Sequence, residues 1–112
     1  MKIVNMTPHA IIVRLPECDR VYPPSGQVVR CQVLTETAGI DAVDGVPTVL
    51  SSFGALEGLP PMEPGVIYLV STPAAQKAAS LGRLDVLSPD TGPTAIRTEK
   101  GQVVAVTRFQ RF

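Results

Sequence analysis

The stretch that decides the fold is Val66–Pro89, "VIYLVSTPAAQKAASLGRLDVLSP". It opens on a continuous apolar run, Val66–Ser71, of the kind a strand buried on both faces requires. "TPAAQKAASLG" then carries the marks of a helix. Ser71 or Thr72 stands at the N-cap, Pro73 at the first helical position, alanines fill the body, and Gly82 lies just past the end. "RLDVLSP" is a second short apolar run, stopped by proline. A strand, a helix of about ten residues and a strand in such close succession predict a right-handed parallel crossover, near the shortest that this connection allows.

The rest of the chain reads as β-structure cut into short pieces by eleven prolines and nine glycines. "KIVN" (Lys2–Asn5) is a strand ended by the turn-prone "MTPH". In Ala10–Leu15, Ile11, Val13 and Leu15 share one face. "PECDRVYPPSG" is a loop or a hairpin arm. Gln27–Thr37 alternates, with Val29, Cys31, Val33 and Thr35 on one side and Arg30 and Gln32 on the other, which predicts a half-buried strand. "GIDAVDG" is a turn-rich link, and Val46–Ser52 a further strand. "FGALEGLPPMEPG" (Phe53–Gly65) holds too much glycine and proline for a long regular element and is expected to be a loop, either functional or a plain cover for one end of the sheet. "TAIRT", "EKGQ" and "VVAVTRF" predict a terminal hairpin with Gly101 as the left-handed turn residue. The expected fold class is α+β, namely one β-rich domain over residues 1–112, built on a mixed sheet with one short helix in a strand–helix–strand unit.

Composition narrows the function classes. A chain of 112 residues with 45% hydrophobic content can bury about two-thirds of its unfolded surface and is not disordered by composition. There is no Trp, and Phe and Tyr total five, so stacking platforms for single-stranded nucleic acid are nearly absent. Ten basic residues balance ten acidic ones, which argues against a broad polyanion-binding surface. Seven of the basic residues are arginines, the side chain best suited to bidentate contact with a phosphate or carboxylate. Two cysteines, Cys18 and Cys31, and a single histidine make no metal set. Cys31 is expected in the core and Cys18 in an exposed turn. Met1 is followed at once by the strand-like "KIVN", and no apolar run approaches the roughly 20 residues that span a bilayer. A cytoplasmic protein with reduced thiols and no cofactor is expected.

Candidate site residues follow from the crossover. The helix starts at the C-terminal end of the first strand, and "SPDTGPTAIR" (Ser88–Arg97) leaves the C-terminal end of the second. Parallel strands put both ends on one edge, where open α/β sheets bind ligands. Ser71, Thr72 and the first helical N–H groups should meet Asp90, Thr91 and Gly92 there, at a helix N-terminus that favours anions. Asp90 could instead cap its own turn. Arg97 is a candidate phosphate or carboxylate clamp, or an exposed hairpin arginine. His9, in "NMTPHA", is a candidate ligand contact or acid–base group, or a hydrogen-bonded turn residue. No Walker loop, G-x-G-x-x-G, H-x-E…C-x-x-C or G-x-S-x-G is present, so no catalytic residue is assigned.

Both ends of the chain, "KIVNMTPHAI" (2–11) and "PDTGPTAIRTEKGQVVAVTRF" (89–109), resemble a family of short phage and prophage proteins. These begin with a strand and an N-L-T-P-H motif and end with P-D-T-G-P…R…G-Q-V-x-A-V. Met6 stands where that family has leucine. The resemblance covers roughly the first dozen residues and the last forty, including Val66–Ser71, but not residues 16–64. It transfers no activity; it implies a phage source and hence a host-directed role in the cytoplasm of an infected bacterium. Three readings follow, ahead of a fourth in which the protein is a structural part of the virion. In the first, a homo-oligomer sequesters a small phosphorylated, nucleotide-derived immune signal, with Ser71, Thr72, Asp90, Thr91, Gly92, Arg97 and His9 as contacts. The second is a host-protein-binding inhibitor or accessory factor. The third is a small nucleotide-directed enzyme using His9 and Asp90. Neither a membrane nor an extended nucleic acid is an expected partner.

Overall fold

A computed structural model describes residues 1–36 and 42–112. Its centre is the expected strand–helix–strand unit: β8 (Val66–Leu69), α1 (Thr72–Ser80) and β9 (Val86–Pro89). β8 and β9 are parallel, with Tyr68 opposite Val86 and Leu69 opposite Leu87. β1 (Lys2–Asn5) adds in parallel to the other edge of β8. β12 (Phe109–Gln110) adds antiparallel to β9, giving a mixed sheet in the order β1-β8-β9-β12.

The apolar run of β8 is explained by two cores, one on each face of this sheet. Tyr68, Val70 and Val86 pack with Ala74, Ala75 and Ala78 of α1 and with Met6 and Val29. Leu69 packs on the opposite face with Ile11, Val13 and Val106, flanked by Leu15, Leu87 and Phe109. Alanine on the buried face of α1 lets the helix lie close to the sheet, and Ala74, Ala75 and Ala78 are all fully covered. The helix ends as its glycine predicts. Gly82 takes φ 81°, its N–H donates to Ala79 O, and the Arg83 N–H donates to Ala78 O. This pair of bonds satisfies carbonyls that the helix end would otherwise orphan.

The second face is covered by two hairpins. β2 (Ile11–Arg14) pairs with β3 (Asp19–Tyr22), so the 16–26 segment is a hairpin arm. β10 (Ile96–Arg97) pairs with β11 (Val103–Ala105) around Gly101 at φ 83°. The hairpins are joined where the Arg14 N–H donates to Val106 O and the Val106 N–H donates to Ile12 O.

The middle of the chain departs from expectation. β4 (Arg30–Glu36) is paired along one edge by β7 (Leu50–Glu57), so Phe53–Glu57 belongs to a strand and only residues 58–65 form the loop. Backbone pairing with β4 outweighs the poor strand propensity of Gly54, which sits at a bulge against the Gln32 side chain. The expected strand at Val46–Ser52 is broken at Thr48–Val49. Its first part, β6 (Val46–Pro47), turns back on β5 (Ala42–Val43) through Asp44 and Gly45, both at positive φ, the pattern of a tight hairpin turn. Thr37 and the Gly39–Asp41 part of the turn-rich link lie outside the described residues.

The half-burial expected of the β4 strand holds only at its root. Val29 is buried and Cys31 half-buried, but Val33 is 58% and Leu34 46% exposed. Beyond Cys31 and Leu56, which pack against the helix-side core, no described element covers the ribbon. The Cα radius of gyration, 16.6 Å, accordingly exceeds the roughly 13–14 Å of a compact domain of this length. No helix among the described residues is long and apolar enough to cross a membrane.

Candidate functional site

The N-terminal motif owes its shape to one buried amide. Asn5 is 2% exposed, and its side chain organises the turn that follows. Its Nδ2 donates to His9 O and Tyr22 O, both at 2.8 Å. Its Oδ1 accepts from the Thr7 N–H at 2.9 Å. The Thr7 hydroxyl lies 2.7 Å from Asn5 Oδ1 and 3.0 Å from His9 O, and its single proton serves one of them at a time. The result is a closed "NMTPH" turn that carries Met6 into the core and leaves His9 exposed at the surface.

That turn forms one wall of a cleft of about 450 Å³ at the C-terminal edge of the parallel strands. The floor is Val70, Ser71, Thr72 and Pro73 at the start of α1, with Pro89 and Thr91 leaving β9 beside it. The wall opposite is Val103–Val106, and Ile11 and Ile12 complete the apolar lining. Hydroxyls of Thr7, Ser71, Thr72 and Thr91 and the imidazole of His9 are the polar side chains that line it. Among the described residues, no carboxylate, lysine or arginine lines it.

The helix start contributes donors as well. Ser71 adopts extended backbone angles at the N-cap, but its side chain makes no capping bond. Pro73 has no N–H, and the N–H of Thr72, which lines the cleft, finds no backbone acceptor among the described residues; Ala74 is fully buried and outside the lining. An uncapped helix N-terminus opening on an apolar cleft is suited to an anionic or strongly accepting group. The Thr72 hydroxyl is held from behind by Gln110 Nε2 at 3.4 Å.

Of the residues expected at the site, Ser71, Thr72, Thr91 and His9 are brought together in the cleft. Asp90, Gly92 and Arg97 are not among its lining. Asp90 is engaged elsewhere: Oδ1 accepts from the Gly92 N–H at 2.9 Å, and Oδ2 from Arg108 Nε at 2.6 Å. The Arg108 guanidinium, and after it the Gly92 N–H, hold the Asp90 carboxyl below the usual carboxylate range. Arg97 donates to Gly101 O at 2.9 Å and to Thr91 O at 2.5 Å. It therefore clamps the Thr91 turn to the terminal hairpin. These three residues shape the loop that presents Thr91. Gly92 lies so close to Asp90 that an added Cβ would sit 3.0 Å from its carboxylate.

Thr7, Ile11, Ile12 and Val103–Val106 are lining residues that sequence reasoning missed. The two hairpins reach the helix only through long-range packing. The pairing of Val13 with Val106, which seats them together, leaves no local trace in the sequence.

Elsewhere, Arg83 donates through Nε and Nη2 to both oxygens of Asp85, each at 2.9 Å, and through Nη2 to Pro60 O at 2.8 Å. The pair ties the 58–65 loop to the start of β9, and Arg83 holds the Asp85 carboxyl below its ordinary range. The Ser88 hydroxyl is wholly buried and has no hydrogen-bond partner among the described residues. The described residues hold no group of three or more His, Cys, Asp or Glu that could bind a metal. Compared with known protein-family models, with curated proteins and with solved structures, the chain matches none.

Proposed function

We propose that this chain is a phage-encoded binding protein that sequesters a small phosphorylated, nucleotide-derived immune signal of its host. In this reading it works in the cytoplasm of the infected bacterium, as a homo-oligomer, and does no chemistry on its ligand. The observation that carries the reading is the pairing of two surfaces in one cleft. Apolar walls from Ile11, Val103 and Val104 suit the flat faces of a base. The hydroxyls of Ser71 and Thr72 and the Thr72 N–H at the start of α1 suit a phosphate or another oxygen-rich group. The volume, about 450 Å³, falls within the usual range for small-molecule sites. The phage source rests on the resemblance at the two ends of the chain.

The alternative in which His9 and Asp90 act as acid and base is less well supported. Asp90 is held by Arg108 and the Gly92 N–H and lies outside the cleft lining that includes His9. The test is retention. Purified protein is incubated with a nucleotide extract of bacterial cells, desalted and denatured, and the released molecules are analysed by mass. The proposal expects an intact nucleotide-class ligand; a chemically altered one supports the enzyme reading, and release of nothing overturns the proposal.

A further inference from the structure

The ribbon formed by β4 and β7 is built in a way that its own chain does not explain. A two-stranded ribbon alone is marginal in water, yet this one leaves the body carrying exposed apolar side chains. Val33, Leu34, Leu50 and Phe53 are each between 46% and 58% exposed. Val33 pairs across the ribbon with Phe53, and Cys31 with Leu56. Cys31 and Leu56 pack against the helix-side core, so the apolar stripe starts in that core and continues outward without a cover. The outer edge of β4 has no strand partner among the described residues. Between its end residues β4 reads Cys-Gln-Val-Leu-Thr, with none of the charges or prolines that usually protect a free edge.

The end residues indicate what belongs there. β4 begins with Arg30 and ends with Glu36, three residues to either side of Val33. If two copies of β4 pair antiparallel about a two-fold axis at Val33, Arg30 of each faces Glu36 of the other. Cys31 then faces Thr35, Gln32 faces Leu34, and Val33 faces itself. Both charged pairs are opposite in sign, and neither Arg30 nor Glu36 takes part in an ion pair among the described residues. The same operation about the middle of β7 offers no such match, because its sole charged residue is Glu57. Pairing residues of equal parity also keeps Val33 and Phe53 of both copies on one face, as a single four-stranded sheet requires.

We infer that β4 is a dimerisation edge, pairing antiparallel with β4 of a second copy about Val33 into a continuous sheet β7-β4-β4-β7. The inference rests on the proposal that the chain is homo-oligomeric and is independent of what the cleft binds. It is tested by light scattering coupled to gel filtration, and by cross-linking through Val33→Cys on a Cys18→Ser/Cys31→Ser background under an added thiol oxidant. The expected mass is twice the 11.9 kDa of the chain, and V33C should form a disulfide-linked dimer at least about tenfold faster than V46C, since a residue and its own copy lie within disulfide reach only near the axis. Arg30→Glu should weaken dimerisation by about tenfold or more, because two attractive cross-strand pairs become repulsive, and R30E/E36R should restore it; since Arg30 also faces Glu57 within its own ribbon, Glu36→Arg, opposite the uncharged Leu50, should weaken dimerisation alike. Both positions are exposed, so the thermal midpoint of each monomeric fold is a control for folding. A monomer at every concentration overturns the oligomer and the inference together. A dimer in which V33C does not cross-link and E36R does not rescue R30E overturns this pairing alone. In either case the extract-retention assay still reads the cleft.

Discussion

Asn5→Ala removes the amide around which the N-terminal turn is built. Asn5 is 2% exposed, and the substitution deletes two donated bonds, to His9 O and Tyr22 O, and the acceptor for the Thr7 N–H and hydroxyl. Three main-chain groups lose a partner, while the Thr7 hydroxyl can turn to His9 O at 3.0 Å. With a net contribution of about 1 kcal/mol for each bond lost, the expected cost is about 3 kcal/mol. At this chain length the midpoint moves by about 4 °C for each kcal/mol, so the thermal midpoint should fall by about 12 °C. Thr7→Val, which removes only the hydroxyl, should cost about 1 kcal/mol. Thermal and urea unfolding followed by circular dichroism measure both. If N5A loses less than about 1 kcal/mol, or no more than T7V, the amide is not what shapes this wall of the cleft.

Two further perturbations probe the frame around the site. Arg83→Met leaves the Asp85 carboxylate, whose side chain is 8% exposed, without its partner, at an expected cost of about 3 kcal/mol at neutral pH. Because Arg83 lowers the folded-state value of Asp85, the stabilisation is full above the carboxyl's unfolded value of about 3.9 and is lost as pH falls through the lower folded value. The gap between wild type and R83M in urea midpoints should therefore narrow below about pH 4; a constant gap would contradict the assignment. Gly58→Ala should cost about 2–4 kcal/mol, since φ is 86° and the new Cβ would lie 2.9 Å from Val28 O, combining left-handed strain with a main-chain clash. Gly101→Ala, at φ 83° in open space, should cost only about 1 kcal/mol. Equal losses for the two would refute the close approach at Gly58.

The parts of the molecule that could be read from sequence are those governed by local chemistry. The apolar run at Val66, Pro73 and Gly82 bounding the helix, and the turn glycine Gly101 each act within a few residues, and all appear in the fold where expected. Both the parallel crossover and the edge that carries Ser71, Thr72 and Thr91 follow from them. What could not be read depends on distant partners. Phe53–Glu57 is a strand because β4 lies beside it, against the preference of Gly54. Val33 continues the alternation of Val29 and Cys31 expected of a half-buried strand, yet no described element covers it. Asp90 has the composition of a binding residue, but Arg108, eighteen residues on and just ahead of β12, occupies its carboxylate, while Arg97 is taken up locally by the Thr91 and Gly101 carbonyls. The aliphatic walls of the cleft resemble any core strand until the Val13–Val106 pairing sets them opposite the helix.

If the cleft beside the start of α1 holds a small ligand, filling the cleft should abolish its retention. Ala10 lines the cleft and is exposed, so Ala10→Trp can occupy the volume without entering either core. Wild-type protein and A10W are taken through the same nucleotide extract, desalted and denatured, and the released ligand is quantified by mass spectrometry per mole of protein. Near-stoichiometric release is expected from wild type and at least a tenfold loss in A10W, with the two thermal midpoints within about 2 °C in the absence of ligand. Equal release from both proteins would contradict it, and so would none from either.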